Sequence, residues 1–296
     1  MFKSIYMENI FKKKIFVYFA KYGKIYSFLI YIISFLINFK IHLKKKKIFN
    51  LYKKNKVTKN SIKDIVTELN DKGYYQSSLS KLDLNNEILA VSEKLIYNKG
   101  KNTNKEFFEN LYIFEKEDEI TNFALQEKFL NIISEYLGIC PSINSIQFIS
   151  SNSEKDNFYS SMNWHLDSHH EKLIKIIFLP FDLDDQNGPT HFLDKRTTQK
   201  IIKEDNYFSG PNYFSDEEFK KVYSNYDEKI KKLVGKKGDF LIIDTSKCFH
   251  MGSRNAKNRY QMFFTYTPVL TFDLNSNKSF KKYEPLNNKI EKILLN

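Results

Sequence analysis

Arginine is nearly missing from this chain. Three of its 47 basic residues are Arg (Arg196, Arg254 and Arg259), all after position 190. Cysteine is as scarce, with only Cys140 and Cys248, which excludes a disulfide framework and makes a reducing cytosol the expected compartment. Nine Gly and six Pro supply no glycine-rich phosphate loop, and no internal repeat is visible. Tryptophan occurs once, at Trp164, and histidine six times. Apolar and aromatic side chains are plentiful. Hydrophobic residues make up 42% of the chain and charged residues 28%, ordinary globular usage that argues against wholesale disorder. At 296 residues the chain is long enough to bury a sizeable core.

The net charge of +12 is unevenly spread. Residues 1–60 hold fifteen Lys and one acid, Glu8, a net of +14, so the remaining 236 residues sum to −2. A nucleic-acid enzyme carries its basic surface on the folded domain, and here that domain is nearly neutral. No nucleic-acid partner is therefore expected.

The basic end contains an uncharged run, residues 25–39 (IYSFLIYIISFLINF). As a helix it would span about 22 Å, short of the roughly 30 Å hydrocarbon core. Extension to Leu43 would reach about 28 Å. Lys flanks both sides, so charge asymmetry assigns no topology. No A-x-A-like cleavage site follows, and a removed signal peptide is not expected. Three readings stay open: a helix lying on an anionic membrane face, a helix packed on the domain or a partner, and a true span. The expectation carried forward is membrane recruitment through residues 1–50, with the protein cytoplasmic and peripheral on the inner face of the cytoplasmic membrane.

The Lys- and Asn-rich stretch 44–60 reads as a linker, dividing a basic segment (1–59) from a folded domain (60–296). Ser61 opens a helix with Ile62, Ile65, Val66 and Leu69 at helical spacing and Gly73 at its end. A second helix fits 120–137, ended by Gly138. Then the period changes. Segments 143–150, 173–181, 239–243 and 260–267 are short, rich in Ile, Phe and Tyr, and separated by turn residues, which predicts strands. An insertion at about 212–234 reads as helical and solvated. Helices followed by short strands predict a mainly β fold with helical support, a jelly roll or related sandwich.

Five of the six His fall within residues 165–250, three of them in Trp164-His165-Leu166-Asp167-Ser168-His169-His170. Alternate side chains of a strand share a face, so His165 and Asp167 can meet one metal ion. His250, closing the segment GDFLIIDTSKCFHMGSR, is the best third ligand. Two His and one carboxylate on one face of an octahedron leave three positions open, as in non-haem Fe(II) oxygenases. A 2-oxo acid filling two of them needs a cation for its far carboxylate, and Arg suits that role bidentately. Arg259 stands nine residues past His250, in a chain that otherwise uses Lys.

These pieces together, WHLD (164–167), NGPT (187–190), GDFLIID (238–244), His250-Met251-Gly252 and Arg259, resemble the phytanoyl-CoA dioxygenase family of Fe(II)/2-oxoglutarate oxygenases over about residues 61–270. The resemblance implies a double-stranded β-helix (jelly-roll, cupin-like). His165, Asp167 and His250 would hold Fe(II), and Arg259 would anchor 2-oxoglutarate. The activity implied is O2-dependent hydroxylation of a small or lipid-like molecule coupled to decarboxylation of 2-oxoglutarate to succinate. Strands 143–150 and 160–164 should line the pocket, with Gln147 as a second 2-oxoglutarate contact. Asp167 itself separates the chain from halogenating relatives, which put a small residue there. The family's Pro-Gly-Ser-His run is replaced by HFLDKRTTQ (191–199), so substrate residues around His191 are not assigned.

Other residues have plainer readings. His169 lies roughly 13 Å along the strand from His165, too far to share its ion, and His170 reads as exposed. Trp164 serves as pocket wall or core, Cys248 as a buried thiol, Asp239 and Asp244 as turn and strand-edge residues, and Arg254 as a solvated or substrate-facing cation. Two rival functions remain: a nucleic-acid dealkylase, opposed by the −2 count, and a non-catalytic, membrane-held jelly roll that binds a ligand or metal.

Overall fold

The computed structural model describes residue 32 and residues 39–56, 59–99, 108–112, 118–151, 160–167, 172–204, 213–223, 228–252, 254–268 and 277–295. The uncharged run 25–39 lies almost wholly outside the described residues, as do His169 and His170. Among the described residues no helix is long and apolar enough to cross a membrane.

Two antiparallel sheets form the centre. Strands β1 (Tyr74–Ser78), β2 (Phe108–Asn110), β3 (Ser142–Ser151), β4 (Ile174–Phe178), β7 (Asp239–Asp244) and β9 (Arg259–Thr267) make a six-stranded sheet in the order β1-β7-β4-β9-β3-β2. The short strands β5 (His191–Phe192), β6 (Lys231–Lys232) and β8 (His250–Met251) make a second sheet in the order β6-β5-β8. This is a double-stranded β-helix, mainly β with helical support.

Residue alternation decides what each face of the large sheet does. Outward, Ile146 and Phe148 of β3, Ile174, Ile176 and Phe178 of β4, Phe240 and Ile242 of β7, and Met262, Phe264 and Tyr266 of β9 join the main core. Helices α1 (Phe39–Asn55), α2 (Asn60–Lys72), α4 (Glu119–Ala124), α5 (Glu127–Leu137) and α8 (Asn277–Leu295) cover that face. Inward, Ile177, Leu241, Ile243 and Phe263 pack with Phe192 and Leu233 of the smaller layer. Both faces carry apolar residues because both are covered. Helix α3 (Glu87–Lys99) adds Ile88 to the main core, while α6 (Lys195–Glu204) and α7 (Asp216–Tyr223) pack Ile201 and Phe219 with Phe249 and Met251.

Several expectations meet their elements closely. The helix expected from Ser61 begins at Asn60 and buries Ile62, Ile65 and Leu69. Gly73 ends it at φ +82°, its N–H bonded to the Leu69 carbonyl. A Cβ on Gly73 would lie 2.5 Å from Cys248 Sγ, so glycine is required there for space as well as for handedness. The helix expected over 120–137 is two helices, because the chain turns at Leu125 and Gln126 before α5 restarts. Among the described residues of the insertion, Asp216–Tyr223 is α-helical and Lys231–Lys232 is strand β6.

The linker reading of 44–60 is wrong. Residues 39–55 are helix α1, and its Ile48, Phe49 and Tyr52 are buried in the main core. Lys45 is 2% exposed, with its Nζ donating to the carbonyls of Cys140 (3.4 Å) and Pro141 (2.8 Å). Lys53 pairs with Glu135 and Lys56 with Glu127, each at 2.9 Å. The Lys density that suggested a solvated connector is partly spent on capping and pairing with α5.

Candidate metal centre

His165 and His250 are 85 residues apart in sequence and opposite one another in space. His165 donates its N–H to the His250 carbonyl (3.0 Å), and His250 donates to the His165 carbonyl (3.1 Å). Asp167 is fixed two residues on, its N–H donating to the Thr245 carbonyl at 3.0 Å. Backbone pairing alone thus sets the three residues side by side.

The rings are oriented by a repeated local device. His165 Nδ1 lies 2.7 Å from the Asn163 carbonyl, and His250 Nδ1 lies 3.0 Å from the Cys248 carbonyl. A carbonyl can only accept, so each Nδ1 carries the proton and each Nε2 a lone pair. His165 Nε2 is 3.7 Å from Asp167 Oδ1, and His250 Nε2 is 3.8 Å from Asp167 Oδ2. One ligating atom from each of the three residues lies within 4.8 Å of the others.

The donor set fits a divalent cation. His250 Nε2 is buried with no hydrogen-bond partner among the described residues, a costly state unless a ligand takes its lone pair. Burial, reinforced by the neighbouring His165, pushes His250 down to about 3, and burial also lowers His165. Both rings are neutral at physiological pH, the form that ligates metal. Burial opposes the charge of Asp167, yet Lys175 and then the two His rings hold its carboxyl well below the ordinary range.

Lys175 was not singled out from the sequence. It projects inward from β4, with its Nζ 2.6 Å from Asp167 Oδ2. Strand alternation could have found it, since Ile174 and Ile176 are outward core residues; its type, common in this chain, hid it.

His165 and His250 open into a cavity of about 300 Å³. Gln147, Ile149, Ser161, Lys175, Thr190 and Arg259 are among its walls, which brings the expected lining from strand 143–150 and segment 160–164 to this cavity. Arg259 is 4% exposed. Its Nε donates to Ser151 Oγ (3.1 Å) and its Nη1 to the Gly188 carbonyl (2.8 Å). Burial, then Arg254, lowers it to about 10, so it stays charged at neutral pH. Gly188 belongs to the NGPT turn at φ +64°, and a Cβ there would meet Asn255 N at 2.5 Å. That turn therefore needs glycine to present its carbonyl to Arg259. Next to Arg259 on the same face is Gln261, 1% exposed, accepting from Thr190 Oγ1 at 3.3 Å while its Nε2 has no partner among the described residues.

Other residues fall elsewhere. Trp164 is core, stacked on Phe219 with ring centroids 4.4 Å apart. Cys248 is a buried free thiol. Arg254 is neither solvated nor aimed at the cavity: it pairs with Asp216 of α7 (2.8 Å) and donates to the Met162 carbonyl (2.7 Å). Asp244 ends β7 as a strand-edge residue and is fully buried, accepting from Tyr136 Oη (2.6 Å), Ser246 Oγ (2.6 Å) and the Leu173 N–H (3.3 Å).

No family model matches the chain, and no curated protein matches it. Solved structures do. HygX from Streptomyces hygroscopicus with nickel and 2-oxoglutarate bound aligns at TM-score 0.48 and 10% identity, over 71% of this chain and 87% of that one. EctD from S. alaskensis with bound Fe aligns at 0.45 and 14%, over 71% and 76%. The epimerase SnoN in complex with Fe3+, alpha ketoglutarate and nogalamycin RO aligns at 0.48 and 9%, over 70% and 84%.

Proposed function

We propose that this chain is a non-haem Fe(II)/2-oxoglutarate-dependent dioxygenase of the phytanoyl-CoA dioxygenase-like kind, hydroxylating a small molecule. The observation that carries the reading is the convergence of His165 Nε2, His250 Nε2 and the Asp167 carboxylate within 4.8 Å of one another, beside a cavity lined by both His residues and Arg259. These three residues would hold iron, and Arg259 would receive the far carboxylate of 2-oxoglutarate. Gln147, on the cavity wall, would make a second contact. Bound there, iron with 2-oxoglutarate and O2 supplies the oxidising power for C–H hydroxylation, with succinate and CO2 as co-products.

The chain's own residues have simpler tasks. The carbonyls of Asn163 and Cys248 keep both rings in the ligating tautomer. Ile149, Ile177 and Phe263 wall the cavity and limit water near the ligands. Incubation of the full chain with Fe(II), ascorbate and 2-oxoglutarate should yield succinate, and Asp167→Ala should abolish it. Failure of 2-oxoglutarate to bind with iron present would overturn the oxygenase reading in favour of a ligand- or metal-binding jelly roll.

Recruitment to the inner face of a cytoplasmic membrane is the second part of the proposal. Helix α1 begins at Phe39, the last residue of the uncharged run in the sequence, and Phe39, Leu43 and Leu51 of its outer face are 44%, 51% and 38% exposed beside exposed Lys47 and Lys54. Apolar residues flanked by Lys suit an anionic lipid surface. Because α1 is part of the core, the basic segment is better divided from the domain before residue 39 than after 59. Co-sedimentation with vesicles containing phosphatidylglycerol should retain the full chain and release a chain lacking residues 1–38. Equal recovery of both would sink this part.

A further inference from the structure

On the inner face of the large sheet, Lys175 and Ile177 of β4 stand opposite Ile243 and Leu241 of β7, and Lys175 is the one charge among these four. Lys175 stands between Ile243 of β7 and Thr265 of β9 in register, with its side chain 24% exposed. An ammonium so placed loses much of its hydration and needs a counter-charge. Its neighbours across the sheet supply none. The carboxylate of Asp167 does, through Oδ2 at 2.6 Å.

That pairing costs the site something. Two neutral imidazoles and one carboxylate carry a single negative charge, and Lys175 cancels it. A divalent ion thus enters a site already neutral, with a fixed cation next to one of its ligands. If metal affinity were all that the site required, an apolar residue at 175 would serve better. The pair does something else: it occupies one of the two oxygens of the carboxylate.

Resting on the oxygenase reading above, we infer that Lys175 is a positioning residue that holds Asp167 to one-oxygen ligation. Lys175 retains Oδ2, and Oδ1, 3.7 Å from His165 Nε2, is left for the metal. An untied carboxylate can chelate through both oxygens, as carboxylates commonly do on hard cations. In a three-ligand site that second oxygen would take one of the three positions needed by a bidentate 2-oxo acid and O2. Lys175 sacrifices metal affinity and keeps the co-substrate's place open.

The two effects have opposite signs, which separates this role from a merely structural ion pair. Mn(II) serves as the probe ion, since it needs no exclusion of oxygen and its free form is counted by electron paramagnetic resonance. In Lys175→Leu, Mn(II) should bind about threefold or more tighter than in the wild type, because a like charge is gone and a second oxygen is released. Calorimetric binding of 2-oxoglutarate to the Mn(II)-loaded protein should weaken about tenfold or more in the same variant. Lys175→Arg, which keeps a cation on the carboxylate, should lie near the wild type in both titrations.

Opposite shifts in Leu with recovery in Arg support the inference. Parallel weakening of both ligands, or no change in either, overturns it while leaving the metal centre intact. Wild-type protein that binds no Mn(II) overturns the metal centre itself.

Discussion

His165 and His250 exchange both backbone hydrogen bonds, at 3.0 and 3.1 Å, and their ring centroids are 4.2 Å apart. Main-chain pairing holds these two residues side by side, so the ring of either can be altered without disturbing the bridge.

His250→Gln should accordingly lose metal selectively. Mn(II) or Ni(II) affinity is expected to fall by about 100-fold or more, since removing even an outer partner of a metal ligand costs about 10- to 100-fold. The melting temperature of the metal-free protein should stay within a few degrees of the wild type. A variant that melts far earlier would show that the ring, not the backbone bridge, holds these strands together.

Arg259 is the test of the co-substrate. Arg259→Ala should weaken 2-oxoglutarate binding by about 2 kcal/mol or more, roughly thirtyfold, with Mn(II) affinity unchanged. Arg259→Lys should recover only part of the loss, because an ammonium cannot offer the planar fork. Titration of 2-oxoglutarate into the three Mn(II)-loaded proteins checks this, and equal affinities would exclude Arg259 as the anchor.

Asp244 should be structural. Its carboxylate accepts from Tyr136, Ser246 and Leu173 in a fully buried position, and the next residue, Thr245, takes the Asp167 N–H. Asp244→Ala would leave several buried donors unsatisfied and should cost about 3–5 kcal/mol. Urea denaturation measures it. A loss below about 1 kcal/mol would mean that water replaces the carboxylate without penalty.

Acid should destabilise the protein partly through His191. Burial, then Lys232, lowers this half-buried ring from 6.5 to about 4. Between those values the unfolded chain binds a proton that the folded chain refuses, so stability falls as pH drops from about 6.5 to about 4. Below about 4 both states are protonated and the loss stops. Between neutral pH and about pH 4.5 this ring should account for about 2–3 kcal/mol. His191→Gln should lose less stability over that interval by the same amount, and parallel wild-type and variant curves would refute the assignment.

Much of the site was legible beforehand because its signals are local or sit at fixed distances along strands. His165 and Asp167 share a face by alternation, and Gly73 and Gly138 end their helices in the left-handed conformation expected of them, at φ +82° and +69°. Scarcity made Arg259 informative. The same composition misled elsewhere. With Lys so common, Lys175 and Lys45 were indistinguishable from solvated neighbours, and the Lys-rich α1 read as a connector. Asp244 looked like a turn residue because a carboxylate's partners, here Tyr136 108 residues away, leave no mark on its own segment.

The amino-acid sequence by itself determined the strand and helix periods, the glycine stops and the identities of the metal-ligand and Arg candidates, since each depends on side-chain chemistry or short-range geometry. Only the tertiary structure decided which cation meets which carboxylate, that α1 belongs to the core, and that the cavity lies on the face of the large sheet opposite α1. Those outcomes depend on pairing between distant segments, such as the bridge between His165 and His250, where register rather than residue type selects the partner.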